Sequence, residues 1–430
     1  MWLLLMMIAI MPYEQSPYLQ LGENLFGVFA GFTVIKALGL LGFAWAGLRI
    51  AAGDTMTYRL GARQARIFFV FLATVALLGL VHGSGFQYVI GRYIAYAVFL
   101  PFLVVAVRTQ DDLRRVLTWL VWSYVAVFPY AVRQMLRFNE RLGVGIYEAN
   151  YLATILVLLV PIAFAFASLQ RVPNRRWLWI GAGLTLVLMI VLTGSRGGFV
   201  GLVAAGVVFV YRRRGLGAAA AVLLALVIGV LALPTELSTR ALATISGDSS
   251  SLPTELEASN KAHVGLFWAA LRMIGESPLI GVGPENFRDL SRVYTGLPQA
   301  NIAHNMFLEI GAETGLVALV LFILVLAAAF RAFGSTVRLA APGTRLHGDP
   351  EATSLAVWSE GLRSGLTGYV VAGCFISAQF EKVLWMSVFL SIVVADLARR
   401  HRTAAAVEAE AAAAATESVD SVDGALPQPS

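Results

Sequence analysis

Apolar residues gather in runs, most of them about 17 to 25 long, separated by short charged breaks. The runs fall near 1-11, 24-48, 66-82, 88-107, 115-136, 147-169, 177-193, 196-211, 216-233, 304-330, 362-380 and 383-398. A run of that length crosses a hydrocarbon core of about 30 Å as a helix, which pairs its own backbone groups where no water can. The pattern predicts an all-α polytopic membrane protein of about twelve transmembrane helices. One large polar loop, 234-303, stands between the ninth and tenth runs. Inside it, Leu266, Ala269, Ala270 and Met273 recur at helical spacing, predicting an amphipathic helix against the membrane mouth. Pro278 and Gly281-Val282-Gly283-Pro284 end that helix.

Composition agrees with this reading. The 430 residues are 58% hydrophobic and 13% charged, with mean hydropathy +0.74, whereas a soluble domain carries about 25% charged residues. The net charge of +6 gains meaning once it is sorted by side. Alternate connections carry arginines: Arg49, Arg59, Arg63 and Arg66; Arg108, Arg114 and Arg115; Arg171, Arg175 and Arg176; Arg212, Arg213 and Arg214; Arg331, Arg338 and Arg345; Arg399, Arg400 and Arg402. The positive-inside rule places these regions and both termini in the cytoplasm, and the loop outside. The division that follows is 1-233 for nine helices, 234-303 for an extracytoplasmic loop, 304-398 for three helices and 399-430 for a disordered cytoplasmic tail. The run Met1 to Met11 lacks a basic leader and a small-residue cleavage site, so it reads as a clipped first span. The single cysteine, Cys374, reads as a small buried hydrophobe.

A second set of cations lies on the predicted outer side: Arg92, Arg133, Arg137, Arg141, Arg196, Arg240, Lys261, Arg272, Arg288 and Arg292. Cations there oppose the orientation rule and need an anionic partner or an aqueous cavity. Arg196 stands in Thr193-Gly194-Ser195-Arg196-Gly197-Gly198, a tight turn at a helix start. Its guanidinium and the helix amides suit a phosphate, with glycines letting the backbone approach. Arg133, Arg137 and Arg141 are spaced by four along one face and fit either a headgroup stripe or a substrate role. His304 opens the tenth span beside Asn305, with Glu309 and Glu313 following; helical spacing aligns Asn305, Glu309 and Glu313. His304 suits a neutral imidazole acting as base or orienting a hydroxyl. Glu313 fits a structural ion pair or a site role equally. His263 and His82 read as polar surface, and the outer face carries no acidic cluster of metal-ligand character, so neither metal nor other cofactor is expected.

Three stretches then resemble the O-antigen ligase and O-antigen polymerase (Wzy-type) superfamily of bacterial membrane glycosyltransferases. They are Arg141-Leu142-Gly143 leading to Ala149-Asn150-Tyr151-Leu152-Ala153; Thr193 to Gly198; and Pro278 to Phe287 followed by Ala303-His304-Asn305 and Glu313-Thr314-Gly315. The resemblance implies a GT-C-like membrane fold in the bacterial inner membrane with its site facing the periplasm. It implies inverting, metal-independent transfer of a glycan from undecaprenyl pyrophosphate to an acceptor hydroxyl, on lipid A-core, on a growing glycan or on protein. Carried over by position, Arg196 contacts the donor pyrophosphate and His304 activates or orients the acceptor. Arg137, Arg141, Arg240, Lys261, Arg288, Asn305 and Glu313 are the further candidates for pyrophosphate or glycan binding. Ligases resemble one another in a second loop arginine shortly before a tryptophan; here Lys261, Ala262 and His263 precede Trp268, and Arg240, Lys261 or Arg288 would have to replace it. The implied partners are the lipid-linked donor, the acceptor and membrane lipid, with no nucleic acid. The competing class is a transporter or flippase of lipid-linked sugars, disfavoured by spans apolar at their centres and by the lack of a repeat.

Overall fold

The computed structural model describes residues 1–14, 20–25, 29–83, 93–138, 141–143, 148–231 and 254–423, and they are overwhelmingly helical. In chain order the helices are α1 (Trp2–Ile10), α2 (Val34–Ala51), α3 (Arg63–Val81), α4 (Ile94–Ala106), α5 (Gln110–Ala126), α6 (Phe128–Phe138), α7 (Ala149–Leu169), α8 (Pro173–Thr193), α9 (Arg196–Leu231), α10 (Thr254–Glu276), α11 (Asn286–Thr295), α12 (Met306–Val337), α13 (Pro350–Ala372) and α14 (Lys382–Asp423). A short antiparallel hairpin, β1 (Gln20–Leu25) with β2 (Phe29–Thr33), precedes α2. Among the described residues six helices are long and apolar enough to cross a membrane, beside shorter apolar helices at Trp2–Tyr13 and Ile94–Ala106.

Several boundaries differ from the sequence expectation. The second run begins at Val34, where the Thr33 hydroxyl accepts the Lys36 N–H as a cap, because the residues before it pair as the hairpin. The run at 115-136 is divided between α5 and α6. The segment expected to be disordered from residue 399 is helical as far as Asp423. Its alanines and glutamates are strong helix formers and α14 is already nucleated upstream.

The core is built around α7, whose side chains are almost all buried against α8, α9 and α13. Close approach is made possible by missing side chains. A Cβ at Gly365 would overlap the Leu158 carbonyl, and one at Gly368 would stand 2.5 Å from the Val157 side chain and 2.6 Å from the Gly201 carbonyl. This small-residue seam lets backbone surfaces pack directly, the usual device where lipid removes the hydrophobic drive between helices.

One end of the bundle gathers arginines. Arg59 is 1% exposed; its guanidinium donates to Asp396 Oδ2 (2.8 and 3.0 Å) and to the Val104 carbonyl (2.8 Å). Arg399 and Arg400 pair with the same carboxylate, and Arg49 and Arg108 share Asp54. At this end Arg59 is therefore a buried strut rather than a surface charge.

A second, smaller core joins α10, α11 and the start of α12 through Leu266, Ala270, Met273, Phe287, Ala303 and Ala312. The α10 face predicted to rest on the membrane thus packs on protein. The opposite face, with Val264, Phe267, Trp268 and Leu271, is the exposed one.

Candidate functional site

The turn between α8 and α9 is fixed by local bonds. Gly194 adopts φ 59° and its N–H donates to the Val191 carbonyl at 2.9 Å, ending α8 in the left-handed conformation glycine tolerates. The Ser195 hydroxyl accepts the Gly198 N–H at 3.2 Å, capping α9, whose first residue is the half-buried Arg196. Packing requires both Gly197 and Gly198: Cβ atoms there would stand 2.7 Å from Phe375 and 2.6 Å from Ala153.

Arg141 buttresses this turn. Its Nε donates to the Thr193 carbonyl at 2.7 Å and its Nη2 to Asn150 Oδ1 at 3.0 Å, while the Leu142 N–H donates to the Leu192 carbonyl at 3.1 Å. A guanidinium on the last carbonyls of α8 suits that end of the helix dipole. Two of the sequence stretches, far apart in the chain, are thereby one unit.

His304 lies before α12 rather than on it. Its φ is 50°, an uncommon conformation for a residue with a Cβ, and its neighbours hold it there. The Ala303 N–H donates to Glu309 Oε2 at 3.0 Å, and Asn305 Oδ1 accepts the Phe307 and Leu308 N–H groups at 3.0 and 3.1 Å. The Met306 N–H donates to the Gly373 carbonyl at 2.9 Å. Glu309 also accepts from the Ser377 hydroxyl and, at 2.7 Å, from Gln379 Nε2. The expected stripe of Asn305, Glu309 and Glu313 is therefore three separate jobs. Asn305 caps the helix, and Glu309 ties the His304 turn to the α13–α14 connection.

Glu313 is buried just before a break in α12 at Gly315 (φ 73°, ψ 175°). The α10–α11 loop plugs that break. Val282 N–H donates to the Ala312 carbonyl (2.8 Å), Gly283 N–H to the Glu313 carbonyl (3.0 Å), and Leu316 N–H to the Pro278 carbonyl (2.7 Å). A Cβ at Gly281 would overlap the Glu313 backbone, and one at Gly315 the Leu279 carbonyl. So Glu313 sits on a half-helix ahead of the membrane-length segment. The glycine-rich stretch expected only to end α10 clamps the two half-helices.

The remaining candidates separate. Arg137 ends α6, exposed, 5.5 Å over the Phe138 ring; Arg288 is exposed on α11, and Lys261 is exposed on α10. Arg240 and Arg92 lie outside the described residues. Cys374, expected to be buried, is exposed in the α13–α14 connection.

His263, read from the sequence as polar surface, comes to the centre instead. Its ring lies 4.5 Å from that of His304, centroid to centroid, at 57°. Burial, and then the charge of Arg196, push the His263 pKa down; burial, and then His263, push His304 down to about 4. Burial therefore favours the neutral form of both imidazoles at pH 7. His304 Nδ1 is buried and finds no hydrogen-bond partner among the described residues. The one available signal for His263 was its place three residues before Leu266, on the flank of the α10 face that packs inward. Among the described residues no three His, Cys, Asp or Glu side chains cluster as metal ligands.

Residues 180–323 match the family model described as O-Antigen ligase. The match supports a likeness of this segment to the O-antigen ligase and polymerase superfamily. The O-antigen ligase segment is less than half of the chain, yet it contains Arg196, His263 and His304 and the clamp between the α10–α11 loop and α12. Members of the superfamily are glycosyltransferase-type enzymes acting on lipid-linked glycans in bacterial membranes. No curated protein matches the chain.

Proposed function

We propose that the protein is an inverting, metal-independent glycosyltransferase of the O-antigen ligase type. It moves a glycan from undecaprenyl pyrophosphate to a hydroxyl of lipid A-core at the periplasmic face of the inner membrane. One observation carries this reading: inside the segment that matches the O-antigen ligase model, the ring of His304 lies 4.5 Å from that of His263, whose pKa the charge of Arg196 lowers. In the proposed step the acceptor oxygen bonds to the anomeric carbon as the carbon–oxygen bond to the pyrophosphate breaks. The electron pair leaves with the pyrophosphate, whose growing charge Arg196 neutralises, and the acceptor proton passes to His304. An imidazole with a pKa of about 4 is a weak base, but the donor's negative charge raises it toward a useful value. Arg141 and Glu309 act as positioning residues for Arg196 and His304.

The proposed topology has twelve crossings, both termini in the cytoplasm and 234-303 outside. It is supported by the gathering of Arg49, Arg59, Arg108, Arg399 and Arg400 at one end of the bundle, while Arg196 and His304 stand at other turns, each at or just before the start of a helix. A repeat-unit polymerase uses the same donor site and is equally compatible. A broken helix such as α12 is also a transporter feature, but here the break is filled by the protein's own loop, Pro278 to Gly283, rather than left for an ion.

The test is transfer by the purified full chain, in detergent, from undecaprenyl-pyrophosphate glycan to lipid A-core and, separately, to repeat-unit acceptors. Arg196→Ala and His304→Ala should each lower kcat by at least about 100-fold. Near wild-type turnover in both variants would reject the site; transfer to repeat units alone would select the polymerase.

A further inference from the structure

We propose that the cavity at the break in α9, at the end of that helix remote from Arg196, holds the headgroup of an anionic phospholipid of the phosphatidylglycerol type. This site is independent of the transfer step described above.

The depth of the cavity in a bilayer follows from α9 itself. From Arg196 to Tyr211 the helix rises about 24 Å, not far short of a hydrocarbon core of about 30 Å, and Arg212, Arg213 and Arg214 follow at once. Gly215 then turns the chain (φ 80°, ψ −175°), with open space where its Cβ would stand. Beyond it Leu216, Leu223 and Leu224 are exposed, as in a segment that faces acyl chains. Between this break, the end of α12 and the first half of α13 lies a cavity of about 610 Å³, within the range of about 300–1,000 Å³ usual for small-ligand sites. Val337, Ala356 and Val357 give it an apolar wall, and Arg212, Arg213 and Glu360 are its charged groups.

Two observations say what would complete it. The first is the balance of charge: two guanidiniums line the cavity against one carboxylate. Arg212 Nε stands 3.4 Å from Glu360 Oε1, whereas Arg213 Nη1 donates to the neutral Ser168 hydroxyl at 2.7 Å, which leaves its charge uncompensated. Arg363, one turn along α13 from Glu360, adds a further half-buried cation. The second is an orphaned oxygen. Glu360 is 4% exposed; its Oε1 also accepts from the Ser364 hydroxyl at 3.2 Å, but Oε2 is buried and finds no hydrogen-bond partner among the described residues. A buried carboxylate oxygen without a donor is costly.

The occupant that answers both needs brings a negative charge to Arg213 and a donor to Glu360. A phosphodiester with a free hydroxyl does so: its phosphate oxygens accept from the guanidinium, and the glycerol hydroxyl donates to Oε2. The exposed leucines beyond Gly215 offer the acyl chains a surface, which assigns the phosphate to a lipid rather than to a free anion. A zwitterionic headgroup would leave the cationic excess in place.

The test is native mass spectrometry of the full chain released from detergent micelles, titrated separately with dioleoyl-phosphatidylglycerol, dioleoyl-phosphatidylmethanol and dioleoyl-phosphatidylethanolamine. Phosphatidylmethanol keeps the charge and lacks the hydroxyl. Wild type should bind one phosphatidylglycerol at least about fivefold more tightly than either of the others, and excess inorganic phosphate should not displace it. Arg213→Gln should weaken that binding at least about fivefold. Arg214→Gln removes the same charge from an exposed neighbour outside the cavity wall and should change it by less than about twofold. Glu360→Met, which deletes both oxygens from an unbranched side chain, should bind phosphatidylglycerol and phosphatidylmethanol alike. Equal binding of the three lipids by wild type, a comparison that needs no variant to fold, would overturn the proposal. So would displacement by phosphate, equal weakening in Arg213→Gln and Arg214→Gln, or a hydroxyl preference that survives in Glu360→Met.

Discussion

His304 is held in a left-handed conformation that costs a residue with a Cβ roughly 1–2 kcal/mol, and the bonds on either side of it supply that energy. The strongest is the one from Ala303 to Glu309, a carboxylate that also gathers Ser377 and Gln379. Glu309→Ala would leave three buried donors without their acceptor, at about 1–3 kcal/mol of stability each, and would let the His304 backbone relax. In the proposed step Glu309 positions a base rather than binding the donor, so kcat should fall at least about tenfold while donor KM stays within a few-fold. Steady-state kinetics decides it: an unchanged kcat, or a loss confined to KM, would remove Glu309 from the positioning role. The residues themselves were visible in sequence as a histidine with acids downstream. That His304 lies off the helix, with Asn305 as its cap, was not, because helical spacing assumes the helix begins two residues earlier than it does.

At the scale of elements, two helices are broken at glycines of nearly the same conformation but in opposite surroundings. Gly215 in α9 (φ 80°, ψ −175°) has open space around its missing Cβ, whereas Gly315 in α12 faces the Leu279 carbonyl. Gly215→Ala should cost only its backbone strain, about 1–3 kcal/mol. Gly315→Ala should cost distinctly more, because the clamp of Pro278, Val282 and Gly283 must also move, and activity should go with it. Denaturant or thermal melts of the two variants in detergent compare them directly, and equal losses would show that the clamp carries no energy. The break at Gly215 was readable as a charged interruption between two apolar runs. The break at Gly315 was hidden, since the chain stays apolar across it and only contact with a distant loop requires it.

For the whole molecule, the arrangement predicts where the single thiol can be reached. Gly373 accepts from Met306, next to His304, and Phe375 packs on Gly197, next to Arg196, so the exposed Cys374 marks the end of the bundle that holds the site. In intact cells with a permeabilised outer membrane, a membrane-impermeant maleimide should label Cys374, and Cys374→Ser should abolish that labelling. Labelling only after the inner membrane is opened would place the site in the cytoplasm and overturn the proposed orientation.

The apolar period and the alternation of arginine-rich breaks determined, without any coordinates, that this chain is a helical multi-pass membrane protein, because burial in lipid constrains every residue of a span locally. Arg196 and His304 stood out as candidates for a similar reason, as a cation and an imidazole standing where the local pattern has no use for them. Only the tertiary structure decided that Arg141 buttresses a turn, that Glu309 anchors another, and that His263 faces inward between them. Those roles depend on which helix ends meet. That meeting is governed by the glycine seams at Gly365, Gly368 and Gly201 and by the clamp at Gly315, contacts between residues that are remote in the chain and leave no period along it.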